Sequence, residues 1–213
     1  PLCLVALFPH LFSIAQFLVT RFMMLPSDMQ DSVTRLFQHI DQTYAHSAEQ
    51  SGFVCNGCQD NCCRTHFYHH TLVEVLSIHS GLRALPVDRR RRIRAAAEAV
   101  IKKITERQRR QESISVMCPL NEKERCVLYE QRPMICRLHG IPHALRRPDG
   151  QPRTGPGCDD FYRQCGRGAA ATLDRTPLYM AMADLEHRLR EKLNYRQKIK
   201  MTVAEIIVND TFV

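Results

Sequence analysis

Phe53-Val54-Cys55-Asn56-Gly57-Cys58-Gln59-Asp60-Asn61-Cys62-Cys63 is the stretch on which the reading of this chain turns. Cys55 and Cys58 form a C-x2-C knuckle, a spacing that lets the backbone fold back so that both sulfurs reach one ion at about 2.3 Å. Redox dithiols share that spacing, so the knuckle alone is weak evidence. The adjacent pair adds to it. Side chains of neighbouring residues in extended chain point to opposite faces, so Cys62 and Cys63 are expected to serve two metals, or one metal and one packing position. Gly57, Asp60 and Asn61 suit the tight turns of a ligand loop.

Seen from this block, the other cysteines are not scattered. The chain has ten, of which Cys55, Cys58, Cys62, Cys63, Cys118, Cys126, Cys136, Cys158 and Cys165 share one segment; only Cys3 stands apart. A disulfide framework predicts a small secreted domain with cysteines throughout. Crowding at short separations points to metal in a reducing, cytoplasmic setting instead. Nine cysteines suit two four-ligand sites with one left over, and the count does not decide between that and a cluster. The formal charge of +8 is weak evidence for nucleic acid: a four-thiolate zinc site carries about −2, and two of them cancel about half the excess.

The downstream cysteines sit in a specific context: Cys118-Pro119-Leu120, then Arg125-Cys126-Val127-Leu128-Tyr129-Glu130, then Arg132-Pro133 and Cys136-Arg137. With the first block, this order resembles the zinc- or iron-chelating cysteine-cluster family often called YkgJ-like. The likeness covers about half the chain, from Phe53 to about Cys165. It implies bound zinc or iron, with iron–sulfur clusters frequent and physiological activity mostly unassigned. Two departures stand out. Three residues precede the paired cysteines where many members have two, and Leu138-His139-Gly140 replaces an aromatic and a proline. The second makes His139 a candidate extra ligand.

Thiolate clusters concentrate negative charge, so Arg132 and Arg137 are expected to donate hydrogen bonds to sulfur and offset it. Tyr129 and Glu130 are expected to orient these arginines or pack the site rather than to catalyse. His66, His69 and His70 follow the paired cysteines; imidazole suits zinc and iron, and His66 is the best placed of the three. The Arg89–Arg92 run with Arg94 spreads around a helix and reads as a solvated basic face. No Gly-rich phosphate loop and no serine nucleophile motif is present, and nucleic acid is disfavoured as a partner.

The rest of the chain predicts a mainly α fold: a single helical domain, 27–213, wrapped around a loop-built cysteine core at 53–165. Val33, Leu36, Phe37, Ile40 and Tyr44 recur at helical spacing over 28–48, behind a capping box of Ser27 and Gln30. Thr71 with Glu74 opens a helix that Gly81 closes. Pro86 starts a long helix to about Gln111, and a short helical turn is expected near 127–131. Residues 140–157 read as an irregular loop. Leu178, Met182, Leu185, Leu189 and Leu193 predict a further helix, and Thr202 with Glu205 caps the last one. Residues 1–26 form an apolar front, read as translated sequence ahead of a start at Met23, Met24 or Met29; a membrane anchor is the alternative.

Two functions remain open. One is a metal-cluster protein that stores, chelates or uses metal for redox work, with redox partner and enzyme status unassigned. The other is a structural-zinc protein whose helices bind a protein or RNA partner. In either case the shell is expected to hold little apolar material at its centre, making 53–165 depend on metal to fold.

Overall fold

The computed structural model describes residues 24–55, 62–147, 149–167 and 173–210. The apolar front up to residue 23 and the candidate ligand Cys58 lie outside them. The architecture is mainly helical, with seven α-helices among the described residues and two small sheets. No described helix is long and apolar enough to cross a membrane.

Helix α1 (Ser27–Ser51) buries Met29, Val33, Leu36, Phe37 and Ile40 on one face, as their spacing dictates. The expected box of Ser27 and Gln30 does not form. Pro26 precedes the first turn with no side-chain cap, its fixed φ already suiting helix entry. Gly52 ends the helix at φ 69°, a left-handed position that costs glycine no Cβ clash. Phe53 follows at once, buried, and packs edge-on against Phe161, centroids 5.2 Å apart, which anchors the chain just before Cys55.

Helix α2 (Leu72–Arg83) is the central element, with ten of its residues buried. Its first N–H groups need partners away from water. Glu74 N–H bonds to the Thr71 hydroxyl at 3.2 Å, while Leu72 and Val73 donate to the Glu186 carboxylate at 2.8 and 3.0 Å. That carboxylate also complements the positive end of the helix dipole and accepts from Arg190. Gly81 does not close the helix, which runs on to Arg83. A Cβ there would lie 3.1 Å from Leu128 and Gln131, so the glycine permits close approach of the 3-10 turn Tyr129–Gln131.

Helix α3 (Val87–Arg109) shows Ile93 and Ala97 to the core and spreads its arginines over the solvent face. Several pair with acids: Arg89 reaches Glu122 at 2.7 Å and Arg94 reaches Glu98 at 3.3 Å. A hairpin of β1 (Asn121–Glu122) and β2 (Arg125–Cys126) leads through the 3-10 turn into the short helix α4 (Met134–Arg137). Residues 140–157 are not irregular. Strands β3 (His143–Arg146) and β4 (Pro152–Gly155) pair antiparallel, and β5 (Leu173–Asp174) joins β3 in parallel. Proline begins β4 where no inner ladder bond is lost, which the composition of the loop concealed.

Helix α5 (Asp159–Cys165) follows the hairpin. Helix α6 (Thr176–Lys192) buries Leu178, Met182, Leu185 and Leu189, and α7 (Val203–Val208) carries a complete Thr202–Glu205 capping box. Helix α1 packs on α6 and α4, α2 on α6 and α7, and α3 on α7. Leu72, Leu76, Ile78, Leu82, Leu178 and Ile206 are fully enclosed in one apolar cluster. The expectation of little apolar material at the centre is therefore corrected: the helices bury their own stripes on one another, and the cysteines lie beside that core.

Candidate metal centre

Two backbone ties bring the cysteine blocks together. Cys118 N–H donates to the Cys63 carbonyl at 2.7 Å, and Thr65 bridges Ser115 in antiparallel fashion. The β1–β2 hairpin then reverses the chain through Lys123 and Glu124, both at positive φ (51° and 67°). Non-glycine residues reach that region at a cost, and here it returns Cys126 beside the strand leaving Cys118. Cys136, in the next short helix, completes the approach. Cys62, Cys63, Cys118, Cys126 and Cys136 all line one cleft, walled by Val100 and Ile104 of α3, by Val116, and by Val203 of α7.

Electrostatics in the cleft follow from burial. Desolvation pushes the Cys118 thiol up to about 12, with repulsion from Cys63 and Cys126 adding to it. Burial likewise raises Cys126 to about 11 and Cys136 well above its ordinary value. Opposing this, Leu120 N–H points at the sulfur of Cys118 and Leu128 N–H at that of Cys126, each two residues on, and each favours thiolate. Cys63 falls to about 6 because Cys62 hydrogen-bonds to it, and Cys62 rises in return. A set of thiols this close and dry stays mostly protonated unless a cation compensates several thiolates at once.

A second group lies on the α1 side. The Cys158 sulfur accepts from Phe161 N–H at 3.3 Å and so caps α5. A Cβ built on Gly140 would meet the Tyr44 hydroxyl at 3.2 Å and the Cys158 sulfur at 3.6 Å, so both stand over that glycine. Burial, then the nearby Cys55, Cys158 and Cys62, raise the Tyr44 phenol. Cys62 lines the cleft, and repulsion from both Cys136 and Cys55 adds to its rise. Cys165 closes α5 and packs on the core. Cys62, Cys118, Cys126, Cys136, Cys158 and Cys165 carry free thiols.

The arginines differ from expectation. Arg132 donates to Asp41 at 2.8 Å and Arg137 to the other Asp41 oxygen at 2.5 Å; their remaining N–H bonds reach the carbonyls of Tyr129, Glu130 and Arg132. Oxygen takes these donors because a carboxylate is a far stronger acceptor than a thiol. Both guanidiniums still favour the Cys126 thiolate through their charge. Tyr129 lies under Arg132, 3.7 Å from ring centre to guanidinium carbon. Asp41 and Tyr44, one turn apart on α1, carried no motif; only the packing of α1 on α4 reveals them.

Among the histidines, His66 and His69 line the cleft. His70 Nδ1 sits 3.1 Å from the Ile199 carbonyl, and His139 stacks edge-on against Phe67. Among the described residues, no group of three or more His, Cys, Asp or Glu side chains is placed to hold a metal ion as it stands. The donor chemistry nevertheless fits a thiophilic metal: desolvated sulfurs, amide donors on two of them, and cationic charge behind. No protein-family model, curated protein or solved structure matches the chain.

Proposed function

We propose that this chain is a zinc- or iron-chelating cysteine-cluster protein, with Cys63, Cys118, Cys126 and Cys136 as the central donors. The observation that carries the reading is the convergence of sulfurs from three separate segments on one apolar cleft. The Cys118 and Cys126 thiols gain nothing from such crowding, since burial and repulsion from Cys63 both oppose their ionisation. A divalent ion or an iron–sulfur cluster reverses that balance, each thiolate compensating the metal's charge in a low-dielectric site. Cys62 is within electrostatic reach of both Cys136 and Cys55, which suits a second metal or a larger cluster.

The test is metal and acid-labile sulfide content, with an absorption spectrum, on protein purified without oxygen. Iron with sulfide and a broad band near ~400 nm, where thiolate-to-iron charge transfer absorbs, identifies an iron–sulfur protein. Colourless protein carrying zinc identifies a chelating or structural site. Protein that takes up neither metal under reducing conditions ends the reading.

A further inference from the structure

The cleft holds nitrogen as well as sulfur. His66 Nε2 is buried and has no hydrogen-bond partner among the described residues, although its ring lines the same cleft as the five cysteines. An imidazole nitrogen taken from water and left unbonded is unfavourable unless something else meets it. Its ring is also held in place. Tyr68 packs edge-to-face on it at 4.9 Å and 85°, and Lys200 Nζ sits 4.6 Å from the Tyr68 ring centre. The backbone just before it is pinned by the Thr65–Ser115 bridge, beside the Cys63–Cys118 tie. The other cleft histidine also has a buried nitrogen without a hydrogen bond, Nδ1 of His69, but that atom lies 3.9 Å from the Glu74 carboxyl.

We infer that His66 Nε2 is a metal ligand, joining three thiolates drawn from Cys63, Cys118, Cys126 and Cys136 around a single zinc-type ion. This rests on the metal-binding reading above and narrows it to a mixed imidazole–thiolate site. Three thiolates and a neutral imidazole leave one unit less negative charge on a zinc site than four thiolates. In a cleft walled by valine and isoleucine that difference favours the mixed set.

The experiment uses cobalt(II) as a spectroscopic substitute for zinc in the full, reduced chain, followed by competition with zinc. The wild type is expected to show the ligand-field bands of a mixed nitrogen–sulfur tetrahedron. His66→Cys should keep equimolar metal with the bands moved to longer wavelength, toward the all-sulfur pattern. His66→Ala should weaken binding at least about tenfold, the scale on which even supporting groups act, with its far-UV circular dichroism unchanged. Wild-type bands and affinity in both variants, or an iron–sulfur cluster with His66 unligated, overturn the inference and leave the metal-binding reading standing. A chain that binds neither cobalt, zinc nor iron sinks both.

Discussion

Cys118 donates its backbone N–H to the carbonyl of Cys63 at 2.7 Å, joining the two cysteine blocks through main chain rather than through sulfur. The antiparallel bridge between Thr65 and Ser115 lies beside it and extends the same main-chain pairing. It is set by the fold, and the side chains then sit at its edge facing the cleft.

Cysteines in the cleft are expected to differ from those outside it. Cys126→Ser and Cys136→Ser should each lower metal affinity by at least about tenfold, while Cys3→Ser should leave it unchanged. Metal content after dialysis against a graded chelator series checks this. Equal retention by all three variants would remove Cys126 and Cys136 from the ligand set.

Metal removal should loosen the site without dissolving the helices. Leu72, Leu76, Ile78, Leu82 and Ile206 are fully enclosed in one cluster of aliphatic and aromatic side chains, and such burial is the dominant favourable term in folding. After chelation the helical circular dichroism is expected to persist, while protease cleavage rises in 62–70 and 114–126. Loss of the helical signal would show that the apolar core cannot stand alone.

Asp41→Asn should be costly for its position. Arg137 is buried and Arg132 nearly so, and both rely on the Asp41 carboxylate. Removing one partner strands buried positive charge, which costs about 3 kcal/mol at the lower end of measured cases; the lower end applies because a third of the Asp41 side chain stays exposed. Denaturant unfolding of the variant measures it. A change within about 0.5 kcal/mol, typical of surface substitutions, would mean that the arginines find other acceptors.

Acid should weaken the fold through His69. Burial, with repulsion from His70 adding to it, holds its imidazole down to about 4 from 6.5, while burial raises the neighbouring Glu74 carboxyl. The folded state thus binds fewer protons than the unfolded one between those values, so stability present above pH 6.5 drains away as pH falls toward 4. The full effect is about 3 kcal/mol. Glu74, with the opposite shift, works against it, so the readout is the difference between wild type and His69→Gln in reduced, metal-free protein. Parallel stability profiles would show that His69 is not the group responsible.

Helices and their ends were legible where local chemistry decides them. Periodic Val33, Leu36, Phe37 and Ile40, and the boxes of Thr71 with Glu74 and Thr202 with Glu205, need only neighbours within a turn or two. The same locality misled at Ser27 and Gly81. A proline already sets the first of those ends, and at the second a distant turn packs against the helix. The 143–155 hairpin was hidden because Pro and Gly mark its turn and edge, and because the third strand that joins it, Leu173–Asp174, lies elsewhere in the chain.

The sequence by itself determined the helical class, most helix boundaries and the inventory of soft donors, since each depends on residue type and short spacing. Tertiary structure alone decided that five cysteines share one apolar cleft. It also sent Arg132 and Arg137 to Asp41 and set Tyr44 and Cys158 over Gly140. These relationships join residues far apart in the chain, and they exist only once the burial of apolar stripes has fixed how the helices pack.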